Sequence, residues 1–506
     1  MQEINIKNAS VMLALAAGLG LHAWHVYAPC DDAYIYLVYV NSLFNGNGLT
    51  YNGALVQGFS SILWPWLISL VHLLGPELPD AMQALSFFSG VFVVSAIYFM
   101  GCRRGLSTWQ AAVPALGLTI TGDFAFYSGN GLETILFSGL VLVASGCLFD
   151  SDRERFSRRH DFILPVLFVL VLVRPEGLLV SFIIVIWRAY RAKSISSGAR
   201  ALATLAVMLA PVYVFIRLSY GSWLPATYYA KSGAGLDNLD QGLTYLALFS
   251  RHYAPVLALL ACAFLLRWQK IGSAAIPLLM IFLAWIAQTT LQGGDNMVGF
   301  RMYLAVIPLC YFTIGYAFRD DAQALTILAL LAFGYVFWGY NFGNVAASSW
   351  AVPVEQQASS WRSAFIERKA AGLWLKENFP AGSRVALSAA GITPYYSELP
   401  TIDMLGLNDG YIALHGHRDR SLAYAHQAGD GAYVMRSSPD VIFLFEGLRP
   451  GLFVSDREIW QSREFQKEYI PCKATEITWV WVKLLTITEL KRKGIELDCR
   501  KQEEAG

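Results

Sequence analysis

The chain has 506 residues, of which 55% are hydrophobic and only 15% are charged, and its formal net charge is +1. Since soluble domains carry about 25% charged residues, this composition and a mean hydropathy of +0.43 exclude a soluble protein and predict a polytopic membrane protein. The near-zero net charge gives no support for a nucleic-acid partner.

Twelve apolar stretches alternate with polar loops along the first two thirds of the chain. Several are shorter than the ~20 residues that a bilayer-spanning helix needs, so hydropathy alone does not settle how many cross. The residues before the first stretch carry little positive charge, and no small-residue cleavage site precedes Asp31. We therefore expect a retained helix, not a signal peptide. The stretches are 11–28, 62–75, 82–101, 109–121, 134–149, 162–173, 177–190, 201–218, 254–267, 274–291, 302–318 and 324–341.

Loop charge predicts how these stretches are threaded. Short basic loops are expected on the cytoplasmic side, and all of them fall there only if 62–75 does not cross. That stretch contains Trp64-Pro65-Trp66, which favours an interfacial or re-entrant helix. About eleven transmembrane helices then remain, with a cytoplasmic N-terminus, a first extracytoplasmic loop over 29–81 and a turn at 174–177. The basic loop residues are Arg103, Arg104, Arg153, Arg155, Arg158, Arg159, Arg188, Arg191, Lys193, Arg200, Arg267, Lys270 and Arg319.

The composition changes after residue 341. Residues 359–379 show helical periodicity, and 385–387, 441–445 and 480–485 are typical of buried strands. We therefore expect a transmembrane domain over 1–341 and an extracytoplasmic α/β domain over 342–506, in a protein that is mainly α. Cys472 and Cys499 fall in the second domain, and outside the cytoplasm they could form a disulfide.

The predicted threading brings polar interruptions from six loops to the extracytoplasmic face. Carboxylates at a bilayer boundary are costly to desolvate and tend to be functional where they occur. The set suits glycosyl transfer from a lipid-linked sugar: a carboxylate accepts the acceptor proton, an anion stabilises an oxocarbenium-like transition state, and Arg or Lys holds the leaving phosphate. The residues are Asp31, Asp32, Asp123, Glu133, Arg174, Glu176, Tyr228, Lys231, Asp295 and Arg301.

Some of these residues also have a purely structural interpretation. Asp31 and Asp32 could be a solvated helix end, and Glu133 could cap the helix that follows it. Tyr228 and Tyr229 could be an interfacial anchor. These alternatives stay open at the level of the sequence.

The charged pairs have structural interpretations as well. Arg174 and Glu176 could form an ion pair inside a turn, and Asp295 could simply pair with Arg301, six residues later. Ion pairs of this kind need no function.

Several motifs resemble integral-membrane GT-C glycosyltransferases, and among them the mycobacterial terminal β-(1→2)-arabinofuranosyltransferases and their relatives in other bacteria. Family members often carry Tyr-Thr or Tyr-Ser where Phe59-Ser60 follows Gly58 here, so we assign Phe59 no role. The similar segments are 31–35, 46–52, 57–64, 128–133, 174–177, 224–231, 293–295 with Arg301, 391–397 and 403–409.

The resemblance implies an inverting transfer of a sugar, with arabinofuranose favoured, from a polyprenyl-phosphate donor. It places the catalytic base at the acidic motif of the first loop. We assign Asp31 as the first candidate for this base. Asp32 would orient it or bind a cation or donor hydroxyls. Lys231 and Arg301 would hold the donor phosphate. The remaining substrate-binding residues would be Glu133, Arg174, Glu176, Tyr228 and Asp295.

The acceptor is a hydroxyl of a cell-envelope glycan or of a surface protein such as a pilin. Acids at the outer face allow a divalent cation (Mg, Mn or Ca), but no spacing demands one and no metal ligand is assigned. The expected partners are the lipid-linked donor, the acceptor and the bilayer, and the expected location is the bacterial inner membrane with the C-terminal domain in the periplasm.

Two other functions share this composition. A flippase or transporter of lipid-linked sugar would place charges near the middle of the membrane, in broken helices. A non-catalytic envelope scaffold would not need acids clustered over a membrane pocket.

Overall fold

The computed structural model describes residues 6–149, 160–231, 238–342, 352–422 and 426–500. We refer to the described residues up to 342 as the membrane part and to those from 352 onward as the C-terminal domain. The predicted basic loop with Arg153, Arg155, Arg158 and Arg159 lies outside the described residues.

The predicted apolar stretches all form helices, and 302–318 does so in two pieces. The helices of the membrane part, within the described residues, are α1 (Ile6–His25), α2 (Asp31–Phe44), α3 (Trp64–His72), α4 (Leu78–Arg103), α5 (Thr108–Thr119), α6 (Gly122–Tyr127), α7 (Thr134–Gly146), α8 (His160–Val173), α9 (Gly177–Arg191), α10 (Ile195–Tyr220), α11 (Ala226–Lys231), α12 (Leu239–His252), α13 (Ala254–Leu266), α14 (Trp268–Ile271), α15 (Ala275–Leu291), α16 (Arg301–Leu304), α17 (Ile307–Ala317) and α18 (Ala322–Phe342).

Within the described part of the chain, three helical runs are long and apolar enough to cross a membrane by length and composition: α4, α10 and the run Trp268–Leu291. The pair α12 and α13 passes the same test together but is bent by 84° at its break. Shorter apolar helices accompany them, so about eleven crossings stays a prediction. At nine residues, α3 is only ~14 Å long, which suits the interfacial position expected for 62–75.

The acidic pair begins a helix inside the predicted first extracytoplasmic loop. Asp31 and Asp32 form the first turn of α2, where negative charge complements the helix dipole. Since an α-helix turns every 3.6 residues, positions 32, 35 and 36 share one face while 31 and 34 lie elsewhere on the helix. The two adjacent aspartates therefore point to different surroundings.

Two of the predicted basic loops, at 267–270 and at 319, meet at one end of the helical bundle. Arg267 pairs with Asp321 at 3.1 Å, and Arg319 donates to the carbonyl of Lys270 at 3.0 Å. Gln110, in the first turn of α5, donates to the carbonyl of Arg319. A shared end is what the positive-inside pattern predicts. The orientation of that end in the membrane stays a prediction.

The C-terminal domain combines helices with a mixed five-stranded sheet. Its described strands are β1 (Val385–Leu387), β2 (Thr401–Asp403), β3 (His417–Arg418), β4 (Ala428–Gly429), β5 (Val441–Ile442), β6 (Tyr469–Lys473) and β7 (Trp479–Lys483). Its described helices are α19 (Val354–Asn378), α20 (Ile392–Ser397), α21 (Gly410–His415), α22 (Gly431–Arg436), α23 (Val454–Gln461), α24 (Arg463–Glu468) and α25 (Leu484–Arg492).

The sheet has the order β2-β1-β5-β7-β6. β1 pairs in parallel with β2 and β5, whereas β7 runs antiparallel to β5 and β6. The three predicted strands exist, but β5 has only two residues and β7 ends at Lys483, where α25 begins. Ala386, Ile442 and Trp481 are buried in its core.

Cys472 in β6 forms a disulfide with Cys499, which confirms the predicted pair. The peptide N–H of Arg500 donates to the carbonyl of Pro471 at 3.0 Å. The bond and the adjacent backbone contact fix the last described residues to the edge of the sheet. The other five cysteines form no disulfide among the described residues.

The C-terminal domain packs directly on the membrane part. Trp361 of α19 packs edge-on against Phe126, with ring centroids 5.0 Å apart. Tyr51, in the loop after α2, donates its hydroxyl to the carbonyl of Ala390 at 2.7 Å, and Asn52 donates to the carbonyl of Leu399 at 2.8 Å. The first loop is therefore covered by this domain.

Candidate active site

A cavity of about 480 Å³ is lined by the membrane part and, at Leu407, by the C-terminal domain. The helix α15 begins beside the basic loop at 267–272 and ends at this cavity, so the two features lie at opposite ends of the bundle. Eight of the nine predicted site residues line it: Asp32, Glu133, Arg174, Glu176, Tyr228, Lys231, Asp295 and Arg301.

Asp31 is the ninth, and it faces the C-terminal domain instead. Its carboxylate accepts hydrogen bonds from the peptide N–H groups of Gly391 and Ile392, each at 3.1 Å. Arg368 lies 3.0 Å from the same carboxylate. With three donors already on it, Asp31 is poorly placed to accept a proton in the cavity, and this geometry favours Asp32 over our first choice from the sequence.

Asp32 and Lys231 are the two charged groups of the cavity that have no hydrogen bond or ion pair with another described residue. Burial lowers the pKa of Lys231, and the negative charge of Asp32 partly opposes that effect. A carboxylate and an ammonium group left open in one cavity are available to a ligand, because their own charges are not neutralised by a contact.

Arg174 joins two carboxylates across the cavity wall, the buried Glu133 and the partly buried Glu176. It donates to Glu133 at 2.9 Å and to Glu176 at 3.0 Å. Burial alone would lower the pKa of Arg174, but Glu176 and Glu133 outweigh it and raise that pKa. Glu133 accepts no capping hydrogen bond at the start of α7. A helix-capping role for Glu133 is therefore not supported. The ion pair between Arg174 and Glu176 inside the turn is present.

Asp295 and Arg301 form a two-point ion pair. Nε of Arg301 donates to Asp295 at 2.7 Å and Nη2 donates at 2.8 Å. Both side chains are buried. Since a guanidinium carries five N–H donors, this pairing leaves Arg301 with donors for a ligand in the cavity.

Asp123, the other acid that we expected at this face, does not line the cavity. It is buried, accepts a hydrogen bond from the Tyr253 hydroxyl at 2.7 Å and lies 3.3 Å from His252. The tyrosine hydroxyl at position 127, in the same short helix, donates to the carbonyl of Val298 at 2.6 Å. This cluster therefore supports the loop that carries Asp295.

Several cavity residues escaped the sequence prediction. Tyr36 lines the cavity and donates to Glu133 at 3.2 Å. Its position one turn after Asp32 would have indicated it, had the first loop been read as a helix. Asn238 and Gln288 also line the cavity, and nothing in the sequence separates them from other polar residues at helix ends.

An apolar groove adjoins the cavity. It runs between α9, α10 and α15 and shares Pro175, Glu176 and Gln288 with the cavity lining. Its other walls are leucines and one phenylalanine, with Ser181 among them. Leu178 and Phe182 are about half exposed there, which is typical of a surface that faces lipid or an apolar ligand.

The C-terminal domain closes the cavity at the first loop. Leu407 lines the cavity, and the next residue, Asn408, accepts a hydrogen bond from the Tyr39 hydroxyl at 3.2 Å. That hydroxyl also accepts from the peptide N–H of Gly58 at 2.8 Å. A Cβ at Gly58 would lie 1.8 Å from the Asn408 side-chain oxygen, so this contact requires glycine.

A metal site assembled by the protein alone does not fit these residues. Within the described ranges, no group of three or more His, Cys, Asp or Glu side chains is placed to hold a metal ion. Three of the four cavity acids are already bound to arginine. Asp32 is the remaining acid, and a cation held there would need further ligands from a substrate.

Two solved structures share this architecture. They are ArnT from Cupriavidus metallidurans bound to undecaprenyl phosphate, with a TM-score of 0.56, and the same protein in the apo state, with a TM-score of 0.55. Each is 12% identical in sequence and matches 78% of this chain, and the matches cover 85% and 86% of the ArnT chains. The chain has the GT-C fold. The fold class expected from the sequence is thereby confirmed.

One sequence relative supports the resemblance that the motifs indicate. The terminal β-(1→2)-arabinofuranosyltransferase of Mycobacterium tuberculosis is 29% identical over 264 residues. The match covers 48% of this chain and 40% of that protein. A family model described as a domain of unknown function (DUF8728) matches residues 354–489, within the C-terminal domain.

Proposed function

We propose that the protein is a membrane glycosyltransferase that moves a sugar from a polyprenyl-phosphate donor to an acceptor hydroxyl with inversion. The observation that carries the proposal is the cavity with one open carboxylate, Asp32, and one open ammonium group, Lys231. The GT-C fold and the arabinofuranosyltransferase relative support the same reaction.

Asp32 is the general base in this proposal. An acceptor hydroxyl is a weak nucleophile, and a carboxylate that takes its proton during attack on the anomeric carbon makes it competent. The carbon–oxygen bond to the phosphate breaks as the new glycosidic bond forms on the opposite face of the sugar. The proton ends on Asp32, and the bonding electrons leave with the lipid phosphate.

Lys231 and Arg301 hold the phosphate as it gains charge. Of the three cations that line the cavity, Arg174 is bound by two carboxylates and Arg301 by one, while Lys231 is open. A charge-assisted hydrogen bond from an ammonium group to phosphate is about twice as strong as a neutral one. Lys231 therefore supplies the main positive charge and Arg301 its remaining N–H donors.

The other cavity residues bind the sugar and the lipid. The oxygen of Gln288 is buried with no partner among the described residues, and it lines both the cavity and the apolar groove. It can accept a hydrogen bond from a sugar hydroxyl. The groove takes the first isoprene units, because an apolar tail beside a charged head group needs such a path. Tyr228, half exposed at the cavity wall, contacts the sugar or acceptor.

The donor sugar proposed is arabinofuranose, and the acceptor is a cell-envelope glycan or a surface protein such as a pilin. The enzyme would work at the outer face of a bacterial inner membrane, with the C-terminal domain in the periplasm. A divalent cation (Mg, Mn or Ca) would bind between Asp32 and the donor, if the reaction uses one.

The test is release of polyprenyl phosphate from radiolabelled donors by the purified protein in nanodiscs. A panel of polyprenyl-phosphate pentoses and hexoses identifies the sugar. Asp32→Asn should lower kcat by about 10²–10⁴-fold, the usual contribution of a general base, while donor binding persists. The same reactions with EDTA, followed by Mg, Mn or Ca, determine whether a cation takes part.

Asn238→Ala is the matched control, because it truncates another polar side chain of the same cavity without removing a charge. Its effect on kcat should be far smaller than that of Asp32→Asn. Normal turnover by the Asp32→Asn protein would contradict the assignment of the base. Lipid-sugar movement across the bilayer without release of polyprenyl phosphate would favour a flippase instead.

A further inference from the structure

The two aspartates that begin α2 connect the cavity to the C-terminal domain. Asp32 lines the cavity. Asp31 is held by Arg368 and by the peptide groups of Gly391 and Ile392, which lie in α19 and at the start of α20. The donors on Asp31 therefore come entirely from the C-terminal domain, one residue away from the proposed base.

The backbones are in close contact at this point. A Cβ at Gly391 would lie 1.8 Å from the carbonyl oxygen of Asp31 and 3.2 Å from its Cγ. No side chain can be accommodated there without a shift of the backbone. The first turn of α2 is thus fixed by direct contact as well as by hydrogen bonds.

The next turn of α2 is held by the same domain. The ring of Tyr34 lies 5.8 Å from that of Phe365, 5.5 Å from Tyr395 and 6.0 Å from Tyr396. Tyr34 itself is buried. Contacts at positions 31 and 34 fix the rotation of the helix about its axis, because each residue turns it by about 100°.

We propose that Arg368 and the backbone at 391–392 are positioning elements for the transfer reaction. By binding Asp31 they hold the first turn of α2 in the rotation that directs Asp32 into the cavity. The inference rests on the proposed function, in which Asp32 is the base. A displacement of about 1 Å at a reacting group can lower a rate by about 10²-fold, so this contact has a direct effect on turnover.

Arg368 also balances the charge of Asp31. Two adjacent carboxylates repel each other, and a guanidinium on one of them relieves that repulsion. The Arg368 side chain is about one third exposed, so its removal leaves a solvated gap without a buried vacancy. The Arg368→Gln protein should therefore fold and insert.

The experiment compares single and double variants of the full-length protein in nanodiscs. Donor turnover is measured with a radiolabelled polyprenyl-phosphate arabinofuranose, and hydrogen exchange is followed in peptides that cover 28–36. Arg368→Gln should lower kcat by at least about 10-fold with little change in the donor KM, and it should speed exchange at 31–36. Arg368→Lys should recover most of the activity.

The double variant separates positioning from a general loss of structure. If Arg368 acts through Asp31, the protein with both Asp31→Asn and Arg368→Gln should turn over no more slowly than Asp31→Asn alone. Lys376→Gln is the control, since it removes a charge from the same helix and breaks an exposed pair with Glu398. It should leave kcat and exchange at 31–36 unchanged.

Three results would overturn the proposal: kcat of Arg368→Gln within twofold of the native protein, additive losses in the double variant, or unchanged exchange at 31–36. If the native protein turns over no donor in the panel, the proposed function fails by itself. Hydrogen exchange still decides then whether Arg368 fixes the start of α2.

Discussion

Arg174 is the residue whose loss should most disturb the cavity. Its guanidinium contacts Glu133 at 2.9 Å and Glu176 at 3.0 Å, and the three side chains are 11%, 3% and 17% exposed respectively. In Arg174→Gln, two carboxylates lose their positive partner together. Removing one partner of a buried ion pair costs about 3–5 kcal/mol. Glu133, the most buried of the three, should account for most of this loss.

The assay is reversible unfolding of the purified protein in mixed micelles, compared with a charge-matched variant. Arg200→Gln removes an exposed arginine on α10 and should change the free energy of unfolding by less than about 0.5 kcal/mol. The pair Glu133→Gln and Arg174→Gln should be more stable than Arg174→Gln alone by about 1–3 kcal/mol, because the uncompensated charge on Glu133 is then gone.

The reasoning about Arg174 has a clear point of failure. The free energy of unfolding of Arg174→Gln could lie within about 0.5 kcal/mol of the native value, as it does for exposed substitutions. In that case Glu133 and Glu176 do not need the charge of Arg174. If the double variant is less stable than either single variant, the ion pair does not couple Glu133 to Arg174.

Three further outcomes follow from particular contacts. Burial lowers the pKa of Lys231, and binding of the donor phosphate needs the charged form of this lysine. The donor KM should therefore rise as the pH rises through that lowered pKa. Lys231→Met should raise the donor KM about 10–100-fold and abolish this pH dependence. Gly58→Ala would bring a Cβ against Asn408 and a backbone carbonyl, so turnover should fall, and Asn408→Ala should restore part of it. Reduction should raise the thiol count in denatured protein from five to seven, since Cys472 and Cys499 are bonded, and should lower stability by about 3–4 kcal/mol.

The helices and the charged residues of the cavity were predictable from the sequence for one physical reason. A bilayer excludes charge from apolar segments, so polar residues collect where helices end, and loop charge sorts those ends onto two sides. Glu133, Arg174 and Asp295 come from three separate loops and still line one cavity. The apolar pattern and the basic loops together contain that information.

Which charged side chains of the cavity pair with one another was not predictable from the sequence in the same way. Arg174 has two carboxylates and Lys231 has none among the described residues, a difference that depends on side-chain directions. The choice between Asp31 and Asp32 depends on α20, which lies far along the chain. The residue before α2, Cys30, makes no side-chain capping hydrogen bond. The sequence therefore did not indicate that a helix starts at Asp31, nor that Asp31 and Asp32 lie on different faces of it.

The contact that holds Asp31 also has a consequence for biosynthesis. Asp31 and the peptide group of Gly391 are 360 residues apart, and a chain is made and folded from its N-terminus. The membrane helices and both acidic residues are therefore synthesised long before Arg368, Leu407 and Asn408 exist. A nascent chain has the charged groups of the cavity but lacks the segment that orients one of them and closes the wall. Transfer should accordingly begin only after the C-terminal domain has folded against the membrane part.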